Sequence, residues 1–179
     1  MAALRKASAY SKKIVRPYTR KSARKNRAYI KTVPPSKIVK FSMGNQAAYN
    51  QKKHPLVVKL IAIEKVQMRD NALESCRQQI FKILETEVPG EYAFNIKVYP
   101  HHILRENKTA AGAGADRLSS GMKHSFGVAI GRAAIVPKNK ELFFISCANE
   151  KAVKSARNAL NKTKSKIPCR TKIVFEKLG

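Results

Sequence analysis

Apolar and polar positions fall into regular order from residue 37 onward, and the order changes period several times. Ile38-Val39-Lys40-Phe41 predicts a short strand ended by Met43-Gly44-Asn45, and Gln46 to Lys53 predicts a polar linker leading to His54-Pro55. Leu56-Val-Val-Lys-Leu-Ile-Ala-Ile63 is a β-branched run of the kind that fills a central strand. Leu73, Cys76, Ile80, Ile83 and Leu84 then recur at helical spacing. They predict a helix over about Asp70 to Glu87, with Asp70 as N-cap and Pro89-Gly90 as the stop. Tyr92 to Tyr99 alternates, which predicts a half-exposed strand, and Ile103-Leu104-Arg105 extends the pairing beyond Pro100. Arg132 to Val136 and Leu142 to Cys147 predict two strands joined by a turn over Pro137 to Glu141. A second helix, capped near Asn149, turns Ala152, Val153, Ala156 and Leu160 inward and Lys151, Lys154, Arg157 and Lys162 outward. Thr171 to Glu176 closes the series as a strand. Strands, helix, strands, helix and strand, without repeats or βαβ alternation, predict an α+β fold with two helices packed on a mainly antiparallel sheet.

Two stretches escape this order. Pro100 to Gly131 (PHHILRENKTAAGAGADRLSSGMKHSFGVAIG) holds five of the eight glycines, and Ala110 to Ala115 is alanine and glycine alone. Such a run has no side chains with which to pack, and glycine makes it costly to fix in one shape. A long, small-residue, cationic excursion between two strands reads as a functional finger aimed at a polyanion. The other stretch is the N-terminal arm. Residues 1–63 contain 16 Lys/Arg and no acid, the first carboxylate being Glu64. Tyr10, Tyr18 and Tyr29 are interleaved with Arg16, Arg20, Lys21, Arg24, Lys25 and Arg27. A charge run of this kind is commonly a solvated tail, but the tyrosines add flat faces on which bases or sugars stack. The arm has too little hydrophobic periodicity to fold alone, and Val33-Pro34-Pro35 separates it from the patterned part of the chain. The expected organisation is therefore an arm over 1–33 and one domain over 34–179, with the finger at about 105–131.

Charge sharpens the reading. With 37 Lys+Arg against 11 Asp+Glu the net charge is +26, which weakens a compact state unless a counter-charged partner offsets it. Nucleic acid is the first candidate, because each neutralised phosphate releases counterions. A membrane is the second, but no apolar run approaches the roughly 20 residues of a spanning helix, and a folded, β-rich core speaks against a surface binder, which would want an amphipathic basic helix. No apolar stretch of a secretory signal follows Arg5 and Lys6. Cys76, Cys147 and Cys169 are odd in number, far apart and without CxxC spacing, which points to unpaired packing cysteines in a reducing compartment, the cytoplasm.

Catalysis finds little support, since the carboxylates are scattered and read as solvated charge. His101 and His102 are neighbours that a strand would point to opposite faces, and nothing completes a zinc ligand set, so no metal or cofactor is expected. One histidine is expected to pack under the finger and the other to meet phosphate or ribose. Gly112 to Arg117 fails the dinucleotide pattern, which needs glycine where Arg117 stands, and lacks the GK[ST] of a phosphate loop. Asp116 and Arg117 open a helical-looking segment to His124, whose N-terminus could meet an anion. Composition alone stops at an RNA- or DNA-binding α+β domain with a cationic arm and a finger.

The finger carries the reading further. YPHHILRENK (Tyr99–Lys108), AGAGADRLSSGM (Ala111–Met122) and SFG (Ser125–Gly127) resemble the signature of one ribosomal family. It is the large-subunit protein called L-sixteen in bacteria and L-ten-e in archaea and eukaryotes. The likeness continues in KIVKFSMGN (Lys37–Asn45), NALESCR (Asn71–Arg77) and IPCRTKIVFEK (Ile167–Lys177), and its PHH and GAGADR forms are similar to the archaeal version. The resemblance implies a structural RNA-binding protein, not an enzyme, near A-site tRNA and the entrance to the peptidyl-transferase centre. Large-subunit rRNA and A-site tRNA are the implied partners, with other large-subunit proteins beside it. No membrane and no homo-oligomer are expected. Arg105, Asn107, Lys108, Gly112, Gly114, Asp116, Arg117, Gly121, Met122 and Lys123 are the implied finger residues. Arg16, Tyr18, Arg20, Arg24 and Arg27 of the arm, with His101 and His102, complete the expected RNA-binding set. Two departures stand out. Val128-Ala129-Ile130 replaces the family's Lys-Pro after SFG, which leaves the chain path there open, and the arm is expected to be longer than usual. The rival readings are an RNA-modifying enzyme, which lacks a visible catalytic constellation, and a stand-alone RNA-binding protein.

Overall fold

The computed structural model of the chain describes residues 5–12, 33–106 and 128–178. In chain order its elements are β1 (Ser42–Gly44), α1 (Gln46–Asn50), β2 (Leu56–Ala62), β3 (Val66–Arg69), α2 (Asp70–Glu87), β4 (Tyr92–Ile96) and β5 (His102–Glu106). After these come β6 (Val128–Val136), β7 (Glu141–Cys147), α3 (Glu150–Thr163), a 3-10 turn (Lys164–Lys166) and β8 (Thr171–Lys177). The fold is α+β, and every strand pairing is antiparallel. The strands divide, however, into two sheets rather than one. Five strands run in the order β1-β4-β7-β2-β8, and three in the order β3-β6-β5.

Register decides which side of the large sheet is apolar. Leu60 lies opposite Phe143, Val58 opposite Ile145, and Phe94 opposite Ile145, so one face gathers Val58, Leu60, Phe94, Phe143 and Ile145. All are buried, and the Phe94 and Phe143 rings meet at 5.8 Å. Against this face α2 sets Leu73, Cys76, Ile80 and Leu84, and α3 sets Ala152, Ala156, Ala159 and Leu160. The alanines leave the helix axes free to approach closely, and each large side chain fully buried here contributes roughly 2 kcal/mol. Lys151, Lys154, Arg157 and Lys162 are exposed on the far side of α3, as its periodicity predicts.

Several local expectations are corrected. The strand read at Ile38–Phe41 begins only at Ser42, because the backbone N–H groups of Lys37 and Val39 donate to the carboxylates of Asp70 and Glu74 and not to a ladder. The linker read at Gln46–Lys53 contains α1, whose N-cap Asn45 accepts from the Ala48 N–H at 2.9 Å. The strand read as half-exposed, β4, is buried on both faces at Tyr92, Ala93 and Phe94. Its second face lies under the α1 side, where His54 is buried against Ser146 (Nδ1 to Oγ 3.2 Å) and Tyr49 meets Phe144 edge-on. Arg69 and not Asp70 is the N-cap of α2, so Asp70 sits inside the first turn. The turn Pro137–Glu141 does not close a hairpin, since β6 and β7 belong to different sheets. No helix among the described residues is long and apolar enough to cross a membrane.

Gly44 closes β1 in a left-handed conformation (φ +77°), and a Cβ there would lie 2.4 Å from the Tyr92 carbonyl oxygen. Gly44→Ala is expected to lower the unfolding free energy by about 2 kcal/mol or more, from backbone strain and this collision together. Urea unfolding checks it, and an unchanged midpoint contradicts it.

Candidate nucleic-acid interface

The segment read as a finger leaves the domain between β5 and β6. Arg105 pairs with Ala129 and Glu106 with Val128, so the strands stay hydrogen-bonded up to residues 106 and 128. The stretch left open in the sequence, Val128-Ala129-Ile130, is thus the start of strand β6. Register slips between Leu104 and Arg105, since Leu104 faces Gly131 and Arg105 faces Ala129, which leaves Ile130 as the extra residue of a bulge. A bulge bends its strand and strengthens the local twist, and at this place it aims whatever emerges from the pair.

The structure places His102 on β5, buried, and His101 just before it, exposed. Burial pushes the His102 imidazole below its ordinary range, and nearby His101 and Arg105 push it the same way, so it is neutral near pH 7. His101 keeps its Nδ1 3.1 Å from the Tyr99 carbonyl. Arg105 lies half-buried beside the exit of the segment. The remaining expected residues, Asn107, Lys108, Gly112, Gly114, Asp116, Arg117, Gly121, Met122 and Lys123 with Arg16, Tyr18, Arg20, Arg24 and Arg27, lie outside the described residues.

Both described ends of the arm are fastened beside this exit. At residue 34, Arg132 of β6 donates through Nε to the Pro34 carbonyl (2.7 Å) and through Nη1 to the Tyr99 hydroxyl (3.2 Å). Tyr99 is half exposed and packs on Phe41 with ring centroids 5.5 Å apart. Asp70 accepts from the N–H groups of Lys37 (3.2 Å) and Asn71 (2.8 Å). Burial nevertheless holds its carboxyl above the usual range. Glu74 accepts from Val39 and from both forks of Arg77 (2.6 and 2.7 Å). Burial pushes Glu74 up, but Arg77, Gln78 and Val39 together outweigh it and hold the carboxyl below its ordinary value. Two stretches that carry the resemblance, Lys37–Asn45 and Asn71–Arg77, are therefore bound to each other. Reading these carboxylates as solvated charge misses that role.

At the other end, residues 5–12 lie along β3, the edge strand of the small sheet. Gln67 donates its N–H to Ser11 (3.1 Å) and its side-chain amide to Tyr10 (2.9 Å). The Arg69 guanidinium holds the carbonyls of Arg5 (2.6 Å) and Lys6 (2.8 Å). Arg5 contacts the Tyr10 hydroxyl, stacks over its ring, and pairs with Glu106 at 2.8 Å. The three strands of the small sheet each carry an arginine, Arg69, Arg132 and Arg105. Nothing in the arm's composition announces this docking; the one signal is Gln67, a polar residue between Val66 and Met68 that proves buried.

Among the described residues no three His, Cys, Asp or Glu come together as a metal would need. The three cysteines are free thiols. Burial pushes Cys76 and Cys147 up to about 12 and Cys169 up to about 11, so they act as packing groups and not as nucleophiles.

Residues 17–174 match the family described as Ribosomal protein L16p/L10e. The chain is 44% identical over 176 residues to large ribosomal subunit protein uL16 of Methanococcus maripaludis strain S2, covering 98% of this chain and 95% of that protein. The uL16 of Staphylothermus marinus is 42% identical over 177 residues, covering 98% and 95%. That of Archaeoglobus fulgidus is 38% identical over 174 residues, covering 97% and 94%.

The two buried histidines generate a prediction. His54 and His102 are both pushed down from 6.5 by burial. Unfolding raises their proton affinity, so the stability they contribute is whole above about 6.5 and is lost as pH falls below it toward the folded-state values. The urea midpoint is expected to drop between pH 7.5 and 5.5, and His102→Gln is expected to flatten that drop. A midpoint constant over this range, or the same drop in the variant, contradicts the assignment.

Proposed function

We propose a role that starts from the chain's family: it belongs to the ribosomal protein L16p/L10e family, and is a structural constituent of the large ribosomal subunit. Within the subunit it binds large-subunit rRNA through the arm, with Arg16, Tyr18, Arg20, Arg24 and Arg27 meeting phosphates and stacked bases. The segment between β5 and β6 reaches A-site tRNA near the peptidyl-transferase centre. Arg105, Asn107, Lys108, Arg117 and Lys123 supply its polar contacts, Asp116 and Met122 lie among them, and Gly112, Gly114 and Gly121 allow close backbone approach. His101, exposed at the root, meets phosphate or ribose, while His102 packs beneath. The protein acts as a single copy and supplies no catalytic group.

One observation supports this reading above the others. The arm's described ends and the root of the finger share one small sheet, through Arg132 to Pro34 and Arg5 to Glu106. Anchoring the arm in rRNA therefore orients the strands from which the finger leaves.

Deleting Thr109 to Ala115 tests the division of labour. That run contains no large apolar side chain, so folding and incorporation into the subunit are expected to stay near normal. Subunits assembled with the variant are expected to accommodate tRNA more slowly without losing peptide-bond chemistry. A normal translation rate at full occupancy contradicts the role given to the finger.

A further inference from the structure

At the opposite edge of the large sheet from β1, α3 and β8 frame a groove of about 540 Å³. Five strands put it roughly 19 Å across the sheet from the β1 edge, where the arm leaves the domain. Ile63 and Ile173 are the apolar residues of its lining. Arg157, Asn161 and Lys164 line the helix side, and Thr171 and Lys172 the strand side. No carboxylate is among them. The nearest acids along the chain are engaged elsewhere, Glu64 with Arg170 at 3.7 Å and Glu176 with Lys59 at 2.6 Å. Among the described residues, Arg157, Lys164 and Lys172 have no carboxylate within ion-pairing distance.

Three features say what such a groove takes. Arg157 is held over the Phe175 ring at 5.3 Å, which fixes the guanidinium without neutralising it. Arg157, Asn161 and Lys164 recur at i, i+4 and i+7, so the wall offers a donor about every 5.4 Å turn, a row suited to a chain of phosphates more than to one small anion. The cationic row continues along the exposed face of α3 through Lys151 and Lys154, and among the described residues β8 pairs with β2 only, leaving its outer edge open. Resting on the rRNA-binding role proposed for the chain, we infer that this groove is a second RNA site, independent of arm and finger, which seats a phosphodiester backbone. Arg157, Lys164 and Lys172 contact phosphates, and Asn161 and Thr171 hydrogen-bond phosphate or ribose oxygens.

The test compares full-length protein with the triple variant Arg157→Gln, Lys164→Gln, Lys172→Gln in binding large-subunit rRNA across a salt series. With about ten phosphate contacts the wild type is expected to show a log–log slope of roughly −7 to −9. The triple variant is expected to be shallower by about 2 to 3, and Lys164→Gln alone by about 0.7 to 0.9. Removing the same charge elsewhere, by Lys52→Gln, Lys53→Gln and Lys138→Gln, is expected to change it less. Urea midpoints matching the wild type show that the fold is intact, and the single variant decides the matter if the triple does not fold. An unchanged slope in the groove variants beside a steep wild-type slope overturns the groove and leaves the family role standing. An equal loss in the control variant also overturns it. So does loss of affinity for a polyglutamate peptide with rRNA binding intact, which would make the occupant an acidic protein segment. A wild-type slope shallower than about −3 would bring down the broader rRNA-binding reading.

Discussion

Two carboxylates one turn apart on α2 hold the arrangement together. The chain has only eleven acids against 37 Lys+Arg, yet it buries Asp70 and Glu74. They receive the backbone N–H groups of Lys37 and Val39, which lays the segment before β1 across the start of α2. Arg77 completes the cluster, bridging Glu74 and touching the Met43 sulfur at 3.1 Å. Charged groups out of water hold only when each is paired and hydrogen-bonded, and truncating one partner leaves the other uncompensated. The segment cannot drift without exposing that cost, so the direction in which the arm leaves the domain is set by α2.

The same logic recurs at the small sheet. A three-stranded sheet of short strands is weakly buried by itself, and its β3 edge is open until residues 5–12 cover it. That cover comes from the arm, through Gln67 and Arg69. Arg132 then ties Pro34 to β6, the strand that returns from the finger. Arm and finger root are therefore joined through β3, β6 and α2, and the five-stranded sheet with its helices serves as their platform. The cationic groove between α3 and β8 lies at the far edge of that platform, so the contacts proposed for RNA are disposed around the core and not clustered at one tip.

How much of this is legible in the sequence depends on the range of the contacts. The extent of α2 follows from Leu73, Cys76, Ile80 and Leu84, because a helix closes its hydrogen bonds locally and its apolar stripe is periodic. The interior strand at Leu56–Ala62 is legible for the same reason of composition. By contrast, β3 is four residues long and runs directly into α2 with no turn between them, so no boundary marks it. Ile38–Phe41 has strand-like residues, but its N–H groups are claimed by side chains 33 and 35 positions away. Two sheets cannot be told from one, since sheet membership rests on non-local pairing. Of the candidate site, the opposite placement of His101 and His102 was readable from strand alternation. The docking of Arg5 on Glu106 was not, because ion pairs across a hundred residues leave no local pattern.

The central claim is that this chain is held in the large subunit by RNA, with arm, finger root and platform acting as one piece. Sedimentation of a cell lysate at near-physiological salt tests it most directly, with the chain followed by immunoblot. The account predicts co-migration with large subunits at about one copy per subunit, with release only as the salt is raised well beyond that level. Recovery of the chain as free soluble protein, or with RNA other than that of the large subunit, would contradict it.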